Sequence, residues 1–160
     1  MSRVLVVDDD EGVREALARV LLSRNYEVDT AGCAAEALEK VASHPDIIIL
    51  DLMLPDENGD ILLSKGRLNG SAVIMLTAAD VSSKDVVKIL SHRNVYDVLG
   101  KPVDFDIFLA KVEKANNFVG ANRLTHNGLQ LTDTAELDLK EARKCFREAS
   151  SHLRALINAG

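Results

Sequence analysis

The feature that most constrains the fold is a run of branched apolar residues, 47–50, that ends at the carboxylate of Asp51. Four such residues without polar alternation predict a strand buried on both faces, as in a parallel sheet. Open α/β sheets bind ligands beyond the carboxyl ends of their strands, so Asp51 lies where a functional group is expected. Pro55 and Gly59 then favour a turn over a continued strand.

Short apolar runs alternate with segments of helical spacing along the first three quarters of the chain. The predicted strands are 3–7, 26–30, 46–50, 72–76 and 95–99, and the predicted helices are 13–21, 34–41, 60–65, 83–91 and 104–116. This alternation predicts an α/β fold, a doubly wound five-stranded parallel sheet with helices on both faces. Right-handed crossovers then bring all five strand ends to one edge of the sheet.

Composition and charge exclude several classes of protein. An apolar fraction of 47% with 4% aromatic residues and no Trp predicts a core filled by aliphatic side chains. The net charge of −6 argues against nonspecific binding to nucleic acid. Apolar runs fall short of the roughly 18 residues of a membrane span. Cys33 and Cys145 lack metal-site spacing, so we expect reduced thiols in a cytoplasmic protein.

The composition changes after residue 117, which predicts three segments: a domain over 1–117, a linker over 118–133 and a C-terminal amphipathic helix over 134–160. Apolar residues recur there three and four apart, at Leu139, Ala142, Phe146, Ala149, Leu153 and Leu156. Three interpretations remain open: packing against the first domain, a homodimeric coiled coil through residues 139–157, or a signalling helix that leads to an output domain. One helix cannot build a helix-turn-helix unit, so we expect no direct DNA binding by this chain.

Polar side chains follow four of the five predicted strands. Asp8 and Asp9 follow the first strand, Asp51 the third, Thr77 the fourth and Lys101 the fifth. Three carboxylates at one edge repel one another unless a cation joins them, and Mg²⁺ prefers such oxygen ligands. A metal, a lysine and a hydroxyl around one carboxylate are typical of a phosphoryl-transfer site, with Asp51 as the attacking group.

Four motifs in this order resemble the receiver domain of bacterial two-component response regulators, which has a flavodoxin-like, CheY-like (βα)5 fold. The resemblance covers about residues 2–117. The motifs are VLVVDDD (4–10), IIILDLMLPDENG (47–59), VIMLTAAD (73–80) and VLGKP (98–102).

The resemblance implies that Asp51 accepts a phosphoryl group from the phosphohistidine of a sensor histidine kinase. It implies that Asp9, Asp51 and the backbone carbonyl of Met53 hold Mg²⁺, with Asp8 acting partly through water.

The resemblance also assigns the remaining motif residues. Thr77, with the adjacent Ala78, and Lys101 bind phosphoryl oxygens after transfer. The Lys101-Pro102 peptide bond is cis in the family, which is consistent with proline tolerating that isomer.

The sequence departs from the family at one position. Receivers usually carry Tyr or Phe three residues before the lysine, as a switch behind the threonine, and this chain has Val98 there. Tyr96, two residues earlier, is expected on the same strand face from the period of two and is a candidate substitute.

Two other classes of function fit parts of the sequence. Asp8-x-Asp10 after the first strand superficially fits an aspartate-nucleophile phosphatase of the haloacid dehalogenase kind, although Gly12 replaces the residue expected two positions further on. An interaction module that never meets phosphate is disfavoured because every acceptor residue is present.

Overall fold

The computed structural model describes residues 1–126 apart from 58, 67, 69 and 79–81, and does not describe residues 127–160. Strands and helices alternate throughout this part of the chain, as predicted. The elements are β1 (Arg3–Val7), α1 (Glu11–Leu22), β2 (Glu27–Ala31), α2 (Ala34–Val41), β3 (Ile47–Asp51), α3 (Asp60–Lys65), β4 (Ala72–Thr77), α4 (Ser83–Leu90), β5 (Val95–Gly100) and α5 (Phe105–His126).

The five strands form one parallel sheet in the order β2-β1-β3-β4-β5. The chain therefore changes direction across the sheet between β1 and β3, which are hydrogen-bonded neighbours although β2 separates them in sequence. Every residue of β3 is buried, as the uninterrupted apolar run predicts. The predicted doubly wound α/β fold is confirmed.

Two apolar layers lie on opposite faces of the sheet. One contains the buried residues of α2, together with Leu62 of α3 and Ile89 of α4. The other contains Leu17 and Leu21 of α1 and the buried residues of α5. Asp10 caps α1, because its side chain accepts a hydrogen bond from the Val13 amide. Helices therefore cover both faces of the sheet.

A bulge in β5 makes the expected placement of Tyr96 wrong. The register between β4 and β5 shifts after Val73, so that Ile74 pairs with Asp97 and Tyr96 is the extra residue. Tyr96 consequently packs on the α5 face, with its ring centroid 5.3 Å from that of Phe118. Val98 packs on the opposite face, against the layer of α2, α3 and α4. Tyr96 therefore cannot substitute for an aromatic side chain at Val98.

The last described helix is longer than expected. It was predicted to end at residue 116 and instead continues to His126, so residues 118–126 of the expected linker are helical. Val119 is buried against the sheet layer. Arg123 pairs with the buried carboxylate of Asp46, which also accepts a hydrogen bond from the Arg3 amide over 2.8 Å. These contacts explain why the helix does not stop where its sequence pattern weakens.

The remaining C-terminal predictions fall outside the described residues. They are the rest of the linker, the helix over 134–160 and the coiled coil through residues 139–157. Among the helices that the structure describes, none combines the length and apolar character needed to cross a membrane.

Candidate functional site

The predicted polar residues converge at the carboxyl edge of the sheet. Asp8 directly follows β1, Asp51 ends β3, Thr77 ends β4 and Lys101 directly follows β5. Because these four strands are adjacent, their ends lie side by side. Asp51 and Leu76 are register partners, which places Thr77 one residue beyond the level of Asp51. The Lys101 amide donates to the Thr77 carbonyl over 2.8 Å and continues the ladder into the loop.

Lys101 joins two of the carboxylates. Its Nζ lies 2.7 Å from Asp8 Oδ2 and 2.8 Å from Asp51 Oδ2. The Asp8 side chain is fully buried and that of Asp51 is 6% exposed, whereas Lys101 is 24% exposed. A single ammonium therefore compensates two carboxylates from different strands in a largely desolvated place.

Burial and charge pairing shift the pKa values in this cluster. Burial raises the pKa of the Asp8 carboxyl, and the hydrogen bond from Lys101 only partly offsets it. Burial alone would lower the pKa of Lys101, but its hydrogen bonds to Asp51 and Asp8 prevail and the pKa is raised. Lys101 therefore stays charged between the two carboxylates.

The third carboxylate makes the cluster suitable for a metal ion. One oxygen from each of Asp8, Asp9 and Asp51 lies within 4.8 Å of the other two. Asp9 is exposed, so the group opens to solvent on one side. The negative charge of three carboxylates exceeds the positive charge of one lysine, and carboxylate oxygens are suitable ligands for a hard divalent cation. The residues present therefore fit the Mg²⁺ expected from the sequence.

The loop after β3 supplies further contacts to Asp51. The Met53 amide donates to Asp51 Oδ1 over 3.0 Å, so both carboxylate oxygens have a donor. The Met53 side chain is 59% exposed at the rim of the site. Thr77 is buried and Ala78 is half-buried. The Lys101-Pro102 peptide bond is cis, as the resemblance implied.

Arg14, which the sequence did not single out, supports the acidic turn. Arg14 Nη1 donates to the carbonyl of Asp8 over 2.7 Å and to that of Asp9 over 3.2 Å. Arg14 fixes the backbone that carries both carboxylates. Arg14 lies three residues before Leu17 and seven before Leu21, so helical spacing places it on the core-facing side of α1. A charged residue on that side was the signal in the sequence that it has a structural role.

The pKa of Asp8 gives the metal-free protein a specific pH dependence. Since the folded state raises this pKa above the usual 3.8, the stabilisation from protonated Asp8 is present below that value and is lost as pH rises through the folded pKa. As pH rises from 3.8 through the folded pKa, the wild type loses this stabilisation and Asp8→Asn does not. We therefore expect the free energy of unfolding of Asp8→Asn, minus that of the wild type, to increase over this pH range. Urea denaturation at a series of pH values, with a chelator present, measures the difference.

Glu39→Gln on α2 is the matched control, because that exposed side chain is remote from the cluster. Its difference from the wild type should vary less across the same window. Parallel pH profiles for Asp8→Asn and the wild type would contradict the assignment of a raised pKa to Asp8.

The comparisons with known proteins point to one family. The model of the response regulator receiver domain matches residues 4–113. That range contains every residue of the cluster described above.

Several curated relatives are response regulators. Transcriptional regulatory protein KdpE of Mycobacterium tuberculosis is 36% identical over 157 residues, which cover 96% of this chain and 68% of KdpE. Response regulator MprA of Mycobacterium ulcerans is 38% identical over 113 residues, 69% of this chain and 48% of MprA. Response regulator ArlR of Staphylococcus aureus is 35% identical over 113 residues, 70% of this chain and 51% of ArlR. The chain thus spans about two thirds of KdpE and about half of MprA and ArlR.

Solved receiver structures share the fold. A CheY-like receiver domain protein from Methanospirillum hungatei JF-1 superimposes with a TM-score of 0.71 at 29% identity, covering 76% of this chain and 98% of that one. A two-component response regulator from Clostridium difficile gives a TM-score of 0.66 at 25% identity, covering 72% of this chain and 95% of the other.

Proposed function

This chain belongs to the response regulator receiver family, and we propose on that basis that Asp51 accepts a phosphoryl group from a sensor histidine kinase. The observation that carries the proposal is the position of Lys101 between the carboxylates of Asp8 and Asp51, at 2.7 and 2.8 Å. The haloacid dehalogenase-like alternative, with Asp8 as nucleophile, finds no support in the family match or in the relatives.

In this proposal a carboxylate oxygen of Asp51 attacks phosphorus, and the bond between phosphorus and the donor's imidazole nitrogen breaks. The Met53 amide and Lys101 orient the Asp51 carboxylate before the reaction. Lys101 carries its positive charge throughout and pairs with a phosphoryl oxygen once transfer is complete. The Thr77 hydroxyl, with the adjacent Ala78 backbone, binds a second oxygen. The protein is a signalling protein, and its chemistry in this proposal is limited to its own phosphorylation and dephosphorylation.

Mg²⁺ is the cofactor of this proposal. Asp9, Asp51 and the Met53 carbonyl would hold the ion, and Asp8 would contribute partly through water. When bound, the ion neutralises negative charge that develops on the phosphoryl oxygens. The oxygen donors and the surplus of carboxylates over lysine support this choice of metal.

The output of the switch is the second part of the proposal. KdpE, whose alignment runs past the receiver match, is named a transcriptional regulatory protein. We propose that phosphorylation changes the surface around Val98 and α5 and that the chain after α5 conveys the change to a partner or to an output such as transcription. A cytoplasmic location and a homodimer through residues 139–157 stay predictions.

Uptake of phosphate from a small donor tests the proposal. We expect one phosphoryl group per chain after incubation with acetyl phosphate and Mg²⁺, detected by intact-protein mass spectrometry, and none when a chelator replaces Mg²⁺. Continuous release of phosphate from phosphate monoesters, without a phosphorylated chain, would instead favour a phosphatase. Absence of both reactions would contradict the proposed function.

A further inference from the structure

The loop between β3 and α3 is bonded to the start of α2. Asp56, in this loop, accepts hydrogen bonds from two successive backbone amides of α2. Its Oδ1 lies 2.9 Å from the Ala34 nitrogen and its Oδ2 lies 3.0 Å from the Ala35 nitrogen. The first amides of a helix have no intrahelical acceptor, and an anion there also interacts favourably with the helix dipole. Asp56 thus caps a helix that begins more than twenty residues earlier in the chain.

The helix does not supply this cap itself. Cys33 occupies the N-cap position of α2 and makes no side-chain capping bond. The nearby Glu36 bonds to the Gly32 amide over 2.9 Å and to Lys40 over 2.8 Å, so it leaves the Ala34 and Ala35 amides to Asp56. The two amides lower the pKa of the Asp56 carboxyl, so this side chain stays ionised and both of its oxygens accept at neutral pH.

The same loop is fixed at two other points. The Gly59 amide donates to the Leu52 carbonyl over 2.8 Å, and a Cβ at Gly59 would lie only 2.2 Å from the Asp51 carbonyl oxygen. Leu54 is buried in the apolar layer next to α2. Between these points lies Met53, whose amide holds Asp51 Oδ1. Among these contacts, the two hydrogen bonds to Asp56 are therefore the polar ones that tie the loop to a different helix.

We propose that Asp56 is a positioning residue for metal binding. By capping α2, it holds the loop that carries Met53 in the conformation in which Met53 and Asp51 act together as ligands. This inference rests on the proposed function, because it assigns a role toward the Mg²⁺ of that site. In this role Asp56 does not itself contact the ion.

Titration with Mg²⁺ tests this role. We expect Asp56→Ala to weaken Mg²⁺ binding about tenfold, the lower range for loss of a residue that orients ligands. Asp56→Asn keeps one acceptor oxygen, so its loss should be smaller. The phosphorylation rate from acetyl phosphate at saturating Mg²⁺ should stay close to that of the wild type for both variants. Isothermal titration calorimetry measures the affinity, and intact mass measures the rate.

Glu36→Ala is the matched control, because it removes the bond to the Gly32 amide at the same end of α2, together with the pair to Lys40, and neither bond involves the loop. It should lower the thermal midpoint as Asp56→Ala does and leave Mg²⁺ affinity unchanged. Equal Mg²⁺ affinity in the wild type and both Asp56 variants would overturn the positioning role and leave Asp56 a structural cap. If the wild type binds Mg²⁺ but accepts no phosphoryl group, the proposed function is overturned. The Mg²⁺ affinities of the wild type and the Asp56 variants still decide the role of Asp56 in that case.

Discussion

Asp51→Asn is expected to abolish phosphoryl uptake from acetyl phosphate. An amide of the same shape is a very poor nucleophile toward phosphorus. Among the described carboxylates, those of Asp8 and Asp51 are the two that are both buried and in contact with a lysine. We do not expect unfolding to cause the loss: the substitution gives up one acceptor oxygen, but it also removes one of the repelling charges in the cluster. We expect a metal-free free energy of unfolding equal to or above that of the wild type, measured by urea denaturation, beside a phosphorylated fraction below detection.

Asp29→Asn provides the control for this substitution. Asp29 lies on the edge strand β2 with a half-exposed side chain that pairs with Lys40 over 3.1 Å. It is also an aspartate on a strand, but it is not part of the cluster, so phosphoryl uptake should match the wild type. Uptake by Asp51→Asn at the wild-type rate would contradict the assignment of Asp51 as acceptor.

Lys101→Met should have the second-largest effect, on stability. It leaves the buried carboxylates of Asp8 and Asp51 without their shared cation. Breaking a buried ion pair costs about 3 kcal/mol or more, and partial exposure of Lys101 favours the lower value. We expect a loss of about 3 kcal/mol in the free energy of unfolding without metal. Added Mg²⁺ should restore much of this loss, because it supplies positive charge to the same carboxylates.

Lys111→Met is the matched control. Lys111 pairs with Asp97 between α5 and β5, where both side chains are about three-tenths exposed. Such a pair contributes about 1 kcal/mol or less to the free energy of unfolding. Added Mg²⁺ should stabilise Lys111→Met no more than it stabilises the wild type. Similar losses for Lys101→Met and Lys111→Met, with no effect of Mg²⁺, would contradict the account of Lys101 as the cation that compensates the cluster.

The convergence of the acidic site followed from the sequence because it depends on regular structure. Asp8, Asp51 and Lys101 each come directly at a strand end, and parallel strands bring such ends to one edge. The unbroken apolar run that forms β3 predicted a strand buried on both faces, as in a parallel sheet. The sequence placed Lys101 at this edge as a charge suited to a carboxylate or a phosphoryl oxygen, but its contacts with both Asp8 and Asp51 came from the structure.

The β5 bulge could not be read from the sequence. Alternation predicts the face of each residue only while the pairing is regular, and one inserted residue reverses it. Tyr96 is that residue, so it joined the α5 face, opposite the face of Val98. The chain therefore lacks the usual aromatic at Val98 without a replacement at Tyr96.

The extent of α5 and the cap by Asp56 depend on tertiary contacts. Residues 117–126 include Asn, Gly and Thr, which have weak helix propensity, so the pattern predicted a linker. Contacts of Val119 with the core and of Arg123 with Asp46 favour the helix instead. Asp56 and Ala34 are far apart in sequence, and local rules for helix capping do not reach such a partner.

Chemical trapping of the phosphorylated residue tests the central claim most directly. Borohydride reduces an aspartyl phosphate to homoserine, which peptide mass spectrometry locates in the sequence. After incubation with acetyl phosphate and Mg²⁺, we expect homoserine at position 51 and at no other aspartate. Homoserine at position 8, or none at position 51 in a chain that has taken up phosphate, would contradict it.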